Sequence, residues 1–181
     1  MLELSLHILD IANNSVKAEA SLIEISVEEN VSKNFLRISI KDDGCGMDKE
    51  FLAQVTDPFK TTRTTRKVGM GLSLFKAAAE NTGGGLEIKS EKGVGTEVVV
   101  TFVYDHIDRQ PLGDIGETLT TLISGNASVD FVYKHSVNDK EFLLDTRNIR
   151  EILGGDISLG SPEIVIWMKD YIKEGLSEIS I

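Results

Sequence analysis

The stretch Asp10-Ile11-Ala12-Asn13-Asn14-Ser15-Val16-Lys17-Ala18 sets a carboxylate, an amide and an ammonium at positions 10, 14 and 17. Spacings of four and three place such side chains on one face of a helix. Positions 4, 8, 11, 12, 15 and 16 (Leu, Ile, Ile, Ala, Ser, Val) keep close to helical spacing, so a helix is expected within 3–20. Two glycine-rich segments follow, Asp42-Asp43-Gly44-Cys45-Gly46-Met47 and Lys67-Val68-Gly69-Met70-Gly71-Leu72, and then Gly93-Val94-Gly95-Thr96. One glycine-rich turn carries little information. Four segments in this order carry much more.

The intervening sequence supplies a frame for them. Residues 20–28 alternate and are β-branched, and 36–41 alternate in the same way, so two strands are expected with a turn over 30–34. Residues 48–55 suit a short helix capped by Asp48. The polar, Thr- and Arg-rich 56–68 shows no periodicity and reads as a loop. Residues 72–81 form an Ala-rich helix that Gly83-Gly84-Gly85 must end. A hairpin over 86–102 follows. Beyond Tyr104 the pattern gives a linker around Pro111, a helix over 115–123, a hairpin over 130–145, and helices over 146–153 and 162–175, the last opening with Ser161 as cap and Pro162. The expected architecture is an α/β sandwich, a mixed sheet with helices on one face, over 1–104, then a small α+β region over 105–181.

Composition narrows the classes. The 181-residue chain has no apolar run near the roughly 18 residues that span a bilayer. Its first residues lack the basic start and small-residue cleavage site of a signal peptide, and one cysteine excludes an internal disulfide framework. A cytoplasmic protein without membrane partners is expected. Net charge is −10, with 12 basic and 15 acidic residues in 1–104 against 7 and 14 in 105–181. Binding to nucleic acid draws on basic surfaces, so such a partner is not expected.

The four segments together resemble the boxes of the Bergerat-fold ATPases, which comprise gyrase, the heat-shock-90 chaperones, mismatch-repair MutL proteins and histidine kinases. The resemblance covers residues 4 to about 103. It implies ATP and Mg²⁺ as cofactors and gives the residues their roles. Asn14 would hold Mg²⁺ through its amide oxygen, with the triphosphate supplying further ligands. Asp10 stands where hydrolytic members carry a Glu that activates water, one methylene shorter here. Lys17 matches a lysine that histidine kinases direct at the phosphates, and Ala18 closes this box. Asp42 would accept a hydrogen bond from the adenine exocyclic amine. Gly44 and Gly46 would let the backbone approach the base, and Met47 would supply an apolar wall.

Asp57-Pro58-Phe59-Lys60-Thr61-Thr62-Arg63 resembles the histidine-kinase lid, and Gly69-Met70-Gly71-Leu72 its third box. Lys60, Thr61, Thr62, Arg63, Arg66 and Lys67 could then close over the γ-phosphate. Gly69, Met70, Gly71 and Leu72 would bring backbone amides and a helix N-terminus to the phosphates. Thr96 would support Asp42 through a water. Cys45 is expected to be a small buried residue.

Three activities fit these boxes. The first is a regulatory protein kinase, histidine-kinase-like or similar to the anti-sigma-factor serine kinases. The second is an ATP-hydrolysing conformational switch with Asp10 as base, and the third a non-catalytic ATP-sensing module. Nine residues precede Asp10, too few for the helical hairpin that carries the acceptor histidine in complete histidine kinases. His7 is expected to pack locally, and neither His106 nor His135 has an acceptor context. The acceptor is therefore expected on a partner protein. A homodimer remains open.

Overall fold

The computed structural model describes residues 3–55 and 70–180. Along the chain come α1 (Leu4–Lys17), β1 (Leu22–Asn30), β2 (Phe35–Asp42), α2 (Lys49–Val55), α3 (Met70–Glu80), β3 (Gly85–Glu91) and β4 (Gly95–Val103). Then follow α4 (Ile115–Gly125), β5 (Asp130–Val137), β6 (Lys140–Asp145), α5 (Thr146–Leu153) and α6 (Pro162–Ile179). The strands make one mixed sheet in the order β3-β4-β2-β1-β5-β6.

Strand alternation decides which face is covered. Ile23, Ile25 and Val27 of β1 stand beside Asp42, Ile40 and Ile38 of β2 and beside Phe131, Tyr133 and His135 of β5. All of these are buried, and the row continues through Val98, Val100 and Phe102 of β4. Each fully buried Ile or Phe side chain here contributes about 1.5–3 kcal/mol. The opposite face carries Glu24, Arg37, Lys41, Lys89, Lys134 and Glu141, all exposed. Helices α1, α3, α4 and α6 bury Ile8, Phe75, Leu119 and Met168 in the same core. The expected sandwich is the observed one.

Residues 105–181 add their hairpin to this sheet. β5 runs parallel to β1 from Leu22↔Asp130 to Glu29↔Val137, and β6 closes that edge. The linker also completes α1, because the Leu4 and Ser5 amides donate to the carbonyls of Pro111 and Leu112 at 3.0 and 2.8 Å. First-turn amides have no partner within a helix, so here the linker does the capping.

Two helix ends depart from the sequence pattern. Glycine at 175 reads as a stop, yet α6 continues to Ile179. The reason is packing, since a Cβ at Gly175 would lie 2.1 Å from Cε2 of Phe142. Ser161 occupies the extended cap position of α6, but its hydroxyl makes no capping bond. It is buried without a partner among the described residues. Asp48 does cap α2, accepting from the Phe51 amide at 2.8 Å.

Candidate functional site

β2 ends at Asp42, whose residue surface is 9 % exposed. Among the described residues, each of its carboxylate oxygens is engaged once. Oδ2 accepts the Ser15 hydroxyl at 2.5 Å, and Oδ1 accepts the Gly44 amide at 2.9 Å. A carboxylate offers about four acceptor positions, so further capacity remains. Ser15 is one turn above Ile11 on the buried face of α1. The first glycine-rich segment is thus tied to α1 by side chain, and also by backbone, through the Cys45 amide on the Ala18 carbonyl at 2.8 Å.

Two glycines in this region are required by space. Gly46 has φ +64, and a Cβ there would meet the Glu91 carbonyl oxygen at 2.0 Å. Gly95 has φ +140, and its Cβ would lie 2.0 Å from the Asp42 carbonyl oxygen. Both positions disfavour L side chains before the contact is counted. The hairpin bend at 91–95 therefore lies directly against the turn after Asp42, with the Gly93 amide on the Cys45 carbonyl at 2.7 Å.

Thr96 stands beside Asp42 in the β2–β4 register and beside Ser90 in the β3–β4 register. Its hydroxyl is 2.8 Å from the Ser90 hydroxyl. Ser90 donates to the Gly95 carbonyl at 3.0 Å and accepts from the Met47 amide at 2.8 Å. With one proton to give, Ser90 accepts from Thr96, which leaves the Thr96 oxygen lone pairs open. Met47 is half-buried and packs against the core.

The other part of the site lies where α1 meets α3. Asp10, Asn14 and Lys17 share one face of α1, Asp10 and Asn14 half-buried and Lys17 exposed. A Cβ at Gly71 would come within 1.6 Å of Asp10 Oδ2. Glycine alone lets the first turn of α3 approach that carboxylate. The α3 amides and dipole favour negative charge at this point. Neither Asp10 nor Asn14 spends its side chain on a hydrogen bond to the described residues. Leu72 is buried beneath this turn, and Met70 is 74 % exposed.

His7 locks the two helices together. Its ring stacks on Phe75 of α3 at 4.7 Å, and Nε2 faces Gln110 Oε1 at 3.2 Å. Burial holds its pKa below the ordinary 6.5, more than Gln110 and Asp10 raise it. It packs locally, as the sequence suggests.

Lys60, Thr61, Thr62, Arg63, Arg66, Lys67 and Gly69 lie outside the described residues. Of the other expected site residues, Asp10, Gly71 and Leu72 gather at the α1–α3 junction, with Asn14 and Lys17 further along the same face of α1, and Ala18, Asp42, Gly44, Gly46, Met47 and Thr96 lie about the end of β2 and the start of β4. Cys45 is a correction, because it is exposed. Its backbone is bonded at both ends while the side chain faces solvent.

Three residues escape the sequence reading. Ser15 and Ser90 look like ordinary small residues of a helix and a strand. Asp43 reads as a repeat of Asp42 but points elsewhere, accepting the Ser21 and Leu22 amides at 2.8 and 2.9 Å and the Ser21 hydroxyl. Its burial would raise the carboxyl pKa, and those donors together hold it below the ordinary 3.8. The doubled acid could have signalled a second task.

Residues 2–106 match the family model described as histidine kinase-, DNA gyrase B- and HSP90-like ATPase. A sensor-like histidine kinase of Rhizobium meliloti is 31 % identical over 103 residues, 54 % of this chain and 20 % of that protein. The sensor protein SrrB of Staphylococcus aureus is 42 % identical over 83 residues, 43 % of this chain and 14 % of its own length. The chain thus spans a fifth or less of these relatives. Among solved structures, the Aquifex aeolicus MutL ATPase domain complexed with ADP has a TM-score of 0.54 at 18 % identity, covering 85 % of this chain and 70 % of that one. The N-terminal domain of a DNA repair protein reaches 0.59 at 18 % identity, covering 86 % and 58 %. The structural likeness extends over the fold, residues beyond 106 included.

Proposed function

The chain belongs to the histidine kinase-, DNA gyrase B- and HSP90-like ATPase family, and on that premise we propose that it binds ATP with Mg²⁺ and acts as a cytoplasmic regulatory protein kinase whose acceptor lies on a partner protein. The observation that carries the nucleotide assignment is Asp42. A nearly buried carboxylate with acceptor capacity to spare is held in place by Ser15 and Gly44. It suits the exocyclic amine of adenine and disfavours guanine, which presents a carbonyl at that position. Ser15 and the Gly44 amide hold the carboxylate in one orientation, while Gly46 and Gly95 keep side chains out of the turn around it. Thr96, with its lone pairs open beside Asp42, supports the same edge.

The α1–α3 junction fits the triphosphate. The Asn14 amide oxygen is a hard ligand with no competing bond to the described residues, and Mg²⁺ is held by few protein groups plus phosphates. Bound there, Mg²⁺ would supply charge neutralisation to the phosphates. Lys17 and the first-turn amides of α3, Met70 to Leu72, orient the phosphate chain, and Lys60, Thr61, Thr62, Lys67 and Gly69 belong to the same role. Residues 1–104 form the nucleotide part on this reading, and 105–181 the part that engages the partner.

A second reading, a hydrolytic switch, is favoured by Asp10. Its carboxylate lies against Gly71 at the start of α3, where a water could be oriented. The two readings separate on the fate of γ-labelled ATP with the full chain and with Asp10→Asn. Free phosphate released by the chain and lost in the variant supports the switch. Label retained as ATP until a partner protein takes it up supports the kinase. No ATP binding by either protein would overturn both.

A further inference from the structure

At the end of β1 remote from Asp42, a cavity of about 690 Å³ opens between β5, the 104–117 segment and α6. Ile23, beside Asp42, and Glu29, at the cavity, are six residues apart on one strand, which is about 20 Å. The volume lies in the range of small-molecule sites, roughly 300–1,000 Å³. Its wall is apolar at Leu112, Ile115, Val137 and Leu176.

The polar floor is already spent. Tyr133 is fully buried, with its hydroxyl 2.8 Å from His135 Nδ1, and His135 Nε2 lies 2.7 Å from Glu29 Oε1. Tyr104 and Arg109 stand near the same carboxylate. Burial would raise the Glu29 pKa, yet His135, Tyr104 and Arg109 together hold it below the ordinary value. The carboxylate is therefore charged and accepts from Nε2–H, and the Tyr133 hydroxyl bonds Nδ1 behind it. Asp114, on the lip, accepts the Glu117 amide at 2.8 Å as the cap of α4.

Two lining groups remain unspent on the other side. Lys169 and Lys173 stand one turn apart on α6, and among the described residues neither ammonium has a carboxylate within 4.0 Å. The lining carboxylates Glu29, Asp114 and Glu117 belong to β1 and the 104–117 segment, so the α6 wall is the cationic one. Its two ammoniums give that wall a place for an acceptor. From this juxtaposition we propose that the cavity is a second ligand site, separate from the nucleotide, for an amphiphilic organic anion. Its acidic head pairs with Lys169 and Lys173, and its apolar body lies against Leu112, Ile115, Val137 and Leu176.

The probe is 8-anilinonaphthalene-1-sulfonate, titrated into the full chain and followed by fluorescence. Uncharged N-phenyl-1-naphthylamine is titrated in parallel, with octanoate and MgATP as competitors. One saturable site per chain is expected, displaced by octanoate and indifferent to MgATP. Lys169→Ala/Lys173→Ala should weaken the sulfonate about tenfold, the scale of a lost charge contact, and leave the uncharged probe unchanged. Both lysines are exposed, so the fold should persist, and an unchanged near-ultraviolet circular dichroism spectrum checks it. Displacement by MgATP, an unaltered affinity in the double variant, or equal loss of both probes would overturn the proposal. Displacement by MgATP would put the probe in the nucleotide site, and equal loss would deny the anionic preference.

Discussion

The two ends of the one sheet are held by different means. Around Asp42 the contacts are made by backbone, glycine and small hydroxyls. Gly46 and Gly95 admit close backbone approach, and Ser15, Ser90 and Thr96 relay hydrogen bonds between α1, β3 and β4. Around Glu29 the contacts are made by large side chains. Tyr133, His135 and Glu29 form a hydrogen-bonded chain that ties β1 to β5, with Tyr104 of the linker near Glu29. The first arrangement leaves acceptor capacity on a nearly buried carboxylate. The second uses its polar groups up on structure. Small residues let neighbouring backbone close in around the carboxylate, and large side chains fasten the strands to one another.

Glycine substitution should separate the two ends most sharply. Gly95→Ala forces a Cβ to 2.0 Å from the Asp42 carbonyl oxygen at φ +140, and should cost ~3 kcal/mol or more in urea unfolding. Gly83→Ala, at the Glu29 end beside Val103, has φ +77 but only an ordinary contact at 3.6 Å, and should cost about 1 kcal/mol. Equal losses would erase the distinction. Next in size is Glu29→Ala, which strands the Nε2 proton of His135. It should cost roughly 2–3 kcal/mol of stability and leave ATP affinity unchanged. A parallel fall in ATP affinity would mean that the far end is part of the nucleotide site.

Smaller effects sharpen the near end. Ser90→Ala leaves the Met47 amide without its acceptor and should cost about 1 kcal/mol, with ATP affinity falling as well. Asn14→Ala should reduce ATP affinity strongly with Mg²⁺ present and little without it. Equal losses would argue against the metal role. The smallest effect is in pH. The His7 pKa is lowered in the folded chain, so its contribution is complete above about 6.5 and is lost as pH falls from there toward the folded value. Thermal stability should therefore fall between pH 7 and pH 5, and His7→Phe should flatten that decline. An unchanged slope would assign the decline to other groups.

Much of the fold was legible because the strands alternate strictly. Ile23, Ile25 and Val27, and again Leu36, Ile38 and Ile40, announce a sheet with one buried face. The pairing of β5 with β1 was not, since a parallel partner 108 residues away (Asp130 beside Leu22) leaves no local mark. Gly175 misled for a related reason, because a glycine that ends a helix and one that admits a neighbour's ring are the same letter. At the site, the motif glycines and acids were legible. Ser15 and Ser90 were not, because their hydroxyls matter only through contacts across 27 and 43 residues of chain.

The central claim is that Asp42 reads adenine, and calorimetric titration of MgATP and MgGTP into the full chain and into Asp42→Asn tests it most directly. The expected result is one MgATP per chain, bound at least about tenfold more tightly than MgGTP. The variant should lose more than about 1 kcal/mol for ATP, the scale of a charge-assisted hydrogen bond, and nothing for GTP. Equal affinity for the two nucleotides, or an ATP affinity that Asp42→Asn leaves untouched, would contradict it.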